Sequence, residues 1–412
     1  MTNSPTRLSP SLNKLAWSNL AAQSAEQIGL AAAPMLAVLV FHVEADATAW
    51  LQTAQTLPFL LFAIPAGLLA DRMLRRRLMT MAECLRVAAL IGVPVLAMLH
   101  VLNLPALAAL GFVGACGTVA YSVAAPALVP ALAPPAALAA ANGRIELARS
   151  TAFAAGPALA GALVGWIGAQ PAYAIAAALS FGAVMLLAGI NEPACAARPA
   201  RAPFHELREG IGFAICHSFL RPILLTAVFF NIAFFMLQAI YVPYAVHRLG
   251  LSMPEVGATL AAYGVGMVTA AVFAPRLMRR LRFGASMVIG PCAGLAAALV
   301  MALTLFIPSM ALAGLSFFLI GAGPVLWVIS STTLRQIVTP AAMLGRVSAL
   351  ITTATFGARP LGSTIAALLA AAYGTDACIV LAIGGFMLQL AIIACSPVAR
   401  LAALPAAATP AG

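Results

Sequence analysis

The chain has 412 residues, of which 63% are hydrophobic and 8% charged, with a formal net charge of +11. So much apolar surface has no soluble arrangement, which excludes a string of water-soluble domains and leaves lipid as the solvent. The positive balance does not signal nucleic acid, because the arginines fall in short loops between apolar runs and not along one face.

At about 20 residues per span plus short connections, the length accommodates about twelve membrane helices. The apolar runs predict them at 15–41, 48–70, 79–101, 105–128, 144–168 and 171–190, then at 220–245, 254–275, 285–306, 310–332, 346–370 and 377–398. The first run is too long for a signal-peptide core and is expected to remain as a span. This gives a tail of residues 1–14, a six-helix bundle over 15–190, a linker over 191–219, a second six-helix bundle over 220–398 and a tail over 399–412. Within the linker, Phe204, Leu207 and Ile211 recur at three and four residues, the spacing of an amphipathic helix lying on a membrane surface.

Arginine sets the orientation. With the N-terminus inside, the cytoplasmic segments hold eighteen Lys and Arg residues, from Arg7 and Lys14 to Arg400, against Arg248 alone on the other side. Both termini are therefore expected in the cytoplasm. The seven cysteines are scattered with no CxxC pair and no His cluster, so they read as small apolar fillers and no metal site is expected. No nucleotide-binding loop, HExxH or GxSxG occurs. An enzyme or a pump carrying its own ATPase is therefore not expected, nor is a cofactor.

The halves echo one another. Arg76–Arg77 after the second span answers Arg279–Arg280 after the eighth, and Pro157 in the fifth answers Pro360 in the eleventh (279 − 76 and 360 − 157 are both 203). Such a duplicated six-helix unit is the plan of parallel-repeat transporters, which bind substrate between the halves near the bilayer midplane.

The stretch GLLADRMLRRR, residues 67–77, sets one acid and four arginines on a short turn between two spans. Through Gly67, Leu69, Asp71, Arg72, Arg75 and Arg76 it resembles the signature loop between helices 2 and 3 of the major facilitator superfamily, departing from it at Leu74. AAGPALAG in the fifth span, with Gly156, Pro157 and Gly161, looks like the antiporter motif of that superfamily's exporters. LRQIVTPAAMLGRVSA and EGIGFAICHSFLRPILL extend the resemblance over nearly the whole chain, to the enterobactin and macrolide exporters called transmembrane secretion effectors. The resemblance implies an all-α membrane protein of twelve helices in two pseudo-symmetric bundles. It further implies a monomer in a bacterial inner membrane that exports a small organic compound by proton antiport. An importer of the same fold and a non-transporting scaffold or sensor are the alternatives.

Ionisable residues inside a bilayer are costly and need an account. Glu83 with Arg86, and Glu146 with Arg149, stand three apart, each pair able to be its own counter-ion on one helix face, so both read as structural pairs near the cytoplasmic ends of their spans. Glu26 and Arg359 lie 12 and 13 residues beyond Lys14 and Arg346, about 18–20 Å deep. Their similar depth makes them candidates for a proton-coupling pair, since burial favours the neutral acid and a guanidinium favours the carboxylate. Gln23, Glu26 and Gln27 form a polar stripe on the first span. With Gln52, Gln55, Tyr121, Asn231, Gln238, Tyr241 and Trp327, which the family places along its central cavity, they are candidates to line a substrate chamber. The cytoplasmic gate is expected from Asp71 facing Arg346, and from Arg276 or Arg279 facing Glu146.

Overall fold

The computed structural model describes residues 10–132, 138–192, 212–340 and 343–403. Residues 193–211, which hold most of the predicted linker helix and Cys195, lie outside the described residues. Among the described residues the regular structure is helical throughout. The long helices are α1 (Pro10–Phe41), α2 (Ala45–Arg72), α3 (Arg75–Met98), α4 (Leu104–Leu132), α5 (Leu138–Ile167), α6 (Ala169–Ala188), α7 (Leu220–His247), α8 (Met253–Arg280), α9 (Phe283–Leu303), α10 (Met310–Val338) and α11 (Leu344–Ala394). A short 3₁₀ turn, Pro397–Arg400, follows. Helix α11 is two helices joined across Gly374, whose φ of 79° and ψ of 179° break the helical path. Counting its two limbs separately gives twelve long helices among the described residues. Among the described residues ten helical stretches are long and apolar enough to cross a membrane, and the one in α11 runs for 45 residues, enough for two crossings.

Local chemistry explains several boundaries. Gly250, at φ 68°, turns the chain after α7. Ser252 then opens α8 with a capping box: its backbone N and hydroxyl both donate to Glu255, at 2.8 and 2.7 Å. Prolines such as Pro58, Pro94 and Pro157 sit inside long helices without ending them. Neighbouring helices and local adjustment compensate for the missing donor in a membrane span.

The chain divides into two compact units, Met1–His42 with Ala54–Pro199, and Val43–Thr53 with Ala200–Gly412. In the first, α1 packs on α5 and α6, and α3 on α4 and α6. In the second, α7 packs on α11, α9 on α10 and α11, and α8 on α10. The opening residues of α2 count with the second unit: there the Thr48 hydroxyl donates to the Ala239 carbonyl at 3.2 Å, and that of Thr53 to Ser363 at 3.0 Å.

The two units repeat their close helix approaches. Gly117 of α4 lies so near the Ala82 carbonyl of α3 that a Cβ would collide with it, and Gly323 of α10 stands likewise against Gly290 of α9. Gly156 of α5 meets Gln27 of α1 in the first unit, and Gly362 of α11 meets Ile232 of α7 in the second. Small residues at these four positions let helices pack through backbone contact, which is how lipid-embedded helices gain their dispersion energy.

Candidate functional site: a buried charge cluster and a helix-end clasp

Arg86 of α3 is the centre of the first unit's polar interior. Its guanidinium donates to Glu83 Oε1 at 2.5 Å, to Thr118 Oγ1 of α4 at 2.8 Å and to the Ala22 carbonyl of α1 at 3.1 Å. It also lies 3.7 Å from Glu26 Oε2 and 5.9 Å from the centre of the Tyr121 ring. The other carboxylate oxygen of Glu83 accepts the Ser180 hydroxyl of α6 at 2.5 Å. Glu83 is fully buried and the Arg86 side chain 4% exposed, whereas that of Glu26 is 14% exposed. Arg86 stands eleven residues beyond Arg75, about 16 Å along α3 and near the middle of a 30 Å hydrocarbon core.

One guanidinium thus serves two carboxylates. Desolvated ions cost several kcal/mol each unless paired and hydrogen-bonded. Glu83 meets that requirement through Arg86 and Ser180. Among the described residues, Arg86 Nε has no hydrogen-bond partner.

A second constellation closes the end of the unit where α3 begins. Leu74 occupies the N-cap of α3 and has no side chain to cap with. Glu192, just after α6, supplies the carboxylate instead: Oε1 accepts from Arg75 N at 3.2 Å and Oε2 from Arg76 N at 2.8 Å. Arg76 Nη1 donates in return to the Ala188 and Ile190 carbonyls at 3.2 and 2.8 Å, and Lys14 Nζ donates to Gly189 O at 2.8 Å. An anion on one helix N-terminus and cations on a neighbouring C-terminus complement both dipoles. In the second unit the N-terminus of α9 is held by backbone alone: Phe283 N and Gly284 N donate to Ala402 O and Leu401 O at 3.3 and 2.8 Å.

The other sequence candidates are distributed as follows. Arg359 of α11 lies over the Phe356 and Phe235 rings, 4.2 and 5.1 Å from their centres. It belongs to the second unit and Glu26 to the first. Gln27 packs on Gly156 and Gln55 on Gly111; Gln52 is buried and Gln23 half-buried. Asn231 bonds back to the Ala227 carbonyl at 2.9 Å. Tyr241 bonds Thr259 at 2.5 Å and stands edge-on to Phe317. The Gln238 Oε1 and Trp327 Nε1 atoms are buried with no partner among the described residues.

Of the gate candidates, Gly67 lies in α2, Arg72 is exposed, and Arg75 and Arg76 join the clasp. Arg276 and Arg279 line an open groove of about 570 Å³ with Phe273, Leu277 and Arg280. The side chains of Asp71, Glu146 and Arg346 lie outside the described residues. In the antiporter-type motif α5 runs unbroken through Gly156, Pro157 and Gly161. Glu192 and Ser180 were not among the sequence candidates. Ser180 had a weak signal as one of the few polar residues of α6, and Glu192 as the acid ending the sixth span.

Among the described residues no group of three or more His, Cys, Asp and Glu could hold a metal ion. The six described cysteines are free thiols.

The sequence profile of the family described as transmembrane secretion effector matches residues 19–410. The multidrug efflux pump Tap of Mycobacterium tuberculosis is 26% identical over 379 residues, covering 88% of this chain and 87% of Tap. Among solved structures, a bacterial homolog of the human lysosomal transporter Spinster, inward-facing and occupied, aligns with a TM-score of 0.72 at 16% identity, over 97% of this chain and 98% of that one. A bacterial homologue of the iron transporter ferroportin, inward-facing, aligns with a TM-score of 0.74 at 16% identity, over 93% and 97%. A D-xylose–proton symporter gives 0.71 at 14% identity, over 95% and 98%. These likenesses establish the fold.

Proposed function

Since the chain belongs to the transmembrane secretion effector family of major facilitator transporters, we propose that it exports a small organic compound by alternating access in exchange for protons. It is a multi-pass membrane transporter and not an enzyme. The observation that carries the proton reading is the Glu26–Arg86–Glu83 cluster. Two acids sharing one cation deep in a bundle are expensive as scaffolding and suited to binding a proton. Export is favoured by the likeness to a multidrug efflux pump along most of both chains.

In this reading Glu26 accepts the proton, and Arg359 is its partner in the second unit at another stage of the cycle. The substrate chamber is lined by Gln23, Gln27, Gln52, Gln55, Tyr121, Asn231, Gln238, Tyr241 and Trp327, which suits a bulky amphipathic solute. The inner gate joins Asp71 to Arg346, and Arg276 or Arg279 to Glu146; rocking of one six-helix bundle against the other opens and closes it. The transporter works as a monomer in a bacterial inner membrane with both termini in the cytoplasm, in contact with lipids and not nucleic acid.

The test is uptake of a panel of dyes and antibiotics into everted membrane vesicles under an imposed pH gradient. Wild-type vesicles should accumulate substrate as protons leave, and Glu26→Gln should remove the dependence on the gradient. Gradient-driven accumulation unchanged in Glu26→Gln refutes the coupling role. Depletion in place of accumulation refutes export.

A further inference from the structure

We propose that the end of α8 is a binding site for an anionic phospholipid, with the phosphate on Arg276, Arg279 and Arg280 and an acyl chain along the helix face that leads to them. This goes beyond the transport reading, and nothing in it depends on which solute is carried or in which direction.

The site is an open groove of about 570 Å³ lined by Phe273, Arg276, Leu277, Arg279 and Arg280. All five side chains are exposed. Guanidiniums present forked pairs of N–H donors that match phosphate oxygens, and they shed water more readily than an ammonium does. Among the described residues that line the groove none is acidic. A choline or ethanolamine headgroup would bring a cation with no partner there, whereas a phosphate meets three. The C-terminal dipole of α8 amounts to about half a negative charge, too little to offset three guanidiniums.

The depth suits a phosphate. The apolar span within α8 runs from Met253 to Ala274. Arg276, Arg279 and Arg280 follow two, five and six residues later, about 3–9 Å farther along the axis. The headgroup layer on each side of the hydrocarbon is about 5–8 Å thick. The guanidiniums therefore stand at the level of lipid phosphates, and Phe273 and Leu277 stand at the boundary below them. Deeper in the span, Val265, Val268 and Val272 are exposed. At spacings of three and four they share one helix face with Arg276 and Arg279. A lipid whose phosphate rests on the arginines lays its chain on this stripe.

The first unit uses its arginines differently. There Glu192 accepts from the Arg75 and Arg76 amides, and the Arg76 guanidinium donates to the Ala188 and Ile190 carbonyls. In the second unit the carbonyls of Leu401 and Ala402 hold the start of α9, so that task needs no arginine. Topology depends on the number of positive charges near a span end. It does not require that they converge on one groove with an apolar wall.

The experiment is native mass spectrometry of the full chain released from detergent, titrated with phosphatidylglycerol, phosphatidylcholine or glycerol 3-phosphate. Phosphatidylglycerol should bind at least about tenfold more tightly than phosphatidylcholine. It should exceed glycerol 3-phosphate by at least as much, since the latter has no chain to bury. Arg280→Gln should weaken phosphatidylglycerol about fivefold, and the double variant Arg276→Gln/Arg280→Gln about 25-fold. Arg280→Lys keeps the charge and loses the fork, and should fall between wild type and Arg280→Gln. Phe273→Ala should weaken the lipid and leave glycerol 3-phosphate unchanged. Arg77→Gln removes an exposed arginine of α3 that does not line the groove, and should bind as the wild type does.

Every substituted side chain is exposed, and a parental melting temperature in lipid-free detergent confirms that each variant folds. Equal binding of phosphatidylglycerol and phosphatidylcholine, or an equal loss in Arg77→Gln, would mean diffuse attraction to a positive surface and overturn the site. Glycerol 3-phosphate binding as tightly as the lipid, or lipid binding unchanged in Phe273→Ala, would overturn a lipid occupant in favour of free phosphate. The readout is binding and not vesicle uptake, so its failure is distinguishable from failure of the gate assigned above to Arg276 or Arg279.

Discussion

The clasp built by Glu192 makes a local, quantitative prediction. Glu192→Ala leaves the first two amides of α3, Arg75 N and Arg76 N, without their acceptors, and Leu74 cannot replace them. Losing a capping acceptor costs about 1 kcal/mol. Losing a negative charge at a helix N-terminus costs up to about 1 kcal/mol more. The ion pair with Arg75, at 3.8 Å and with the arginine 20% exposed, adds less than about 1 kcal/mol. The total, about 2–3 kcal/mol, falls on the first turn of α3, because the rest of the helix is fixed by packing on α4 and α6.

Amide hydrogen exchange is the suitable assay, since it reads opening residue by residue. In Glu192→Ala the amides of Arg75 and Arg76 should exchange roughly 30- to 150-fold faster than in the parent. Glu192→Gln keeps an oxygen but not the charge, and should fall between the two. The amides of Phe283 and Gly284 are an internal control, because backbone carbonyls hold them, and they should not change in either variant. If Arg75 and Arg76 exchange at the parental rate in Glu192→Ala, the carboxylate is not what holds the start of α3, and the account of the clasp is wrong.

Three further outcomes can be checked. Gly117→Val drives a side chain into the Ala82 carbonyl and should cost about 1–3 kcal/mol of thermal stability in detergent. Gly182→Ala, where a Cβ meets open space, should be neutral or stabilising, and equal effects at the two sites would disprove the close approach of α3 and α4. Gly374→Ala places a side chain in a backbone region essentially reserved for glycine, at φ 79°, and should lower stability by about 1–3 kcal/mol although nothing surrounds the new methyl group; an unchanged melting temperature would show that the break between the limbs of α11 relaxes freely. For the proposed gate, Asp71→Asn should impair vesicle uptake while leaving membrane insertion intact, and wild-type uptake would remove Asp71 from that role.

How much of this was legible in the sequence depends on the range of the contact that carries it. The helical, membrane-embedded character follows from apolar runs of span length between arginine-bearing turns, a property each segment has alone. The Glu83–Arg86 ion pair could be read from a spacing of three on one helix, and the structure contains it at 2.5 Å. Helix ends were less legible: α1 begins at Pro10, ahead of the apolar run at 15, because backbone hydrogen bonding does not stop where lipid does. Ser180 and Glu192 were out of reach for another reason. Each acts on α3 across about a hundred residues of chain, and no periodicity along one segment reports which neighbour a side chain will meet. The same holds for Glu26: its depth was computable, but its contact with Arg86 depends on how α1 and α3 are rotated about their own axes.

The comparison of the two units bears on why the charges are there at all. Both units use the same packing devices, a glycine of the fourth helix against the third and a glycine of the fifth against the first, and both secure the start of their third helix. Helix α9, the counterpart of α3, carries no Asp, Glu, Lys or Arg between Phe283 and Leu303. Beside Gly294 stands the uncharged Gln389, buried in the second unit. The same architecture is therefore built once around a buried ion cluster and once without any charge at that place. Breaking a buried pair costs about 3–5 kcal/mol, whereas replacing the whole pair with apolar groups of similar volume is often neutral or stabilising. The proposed function accounts for that asymmetry: a cluster that serves transport is needed in one unit only, and its counterpart packs without it.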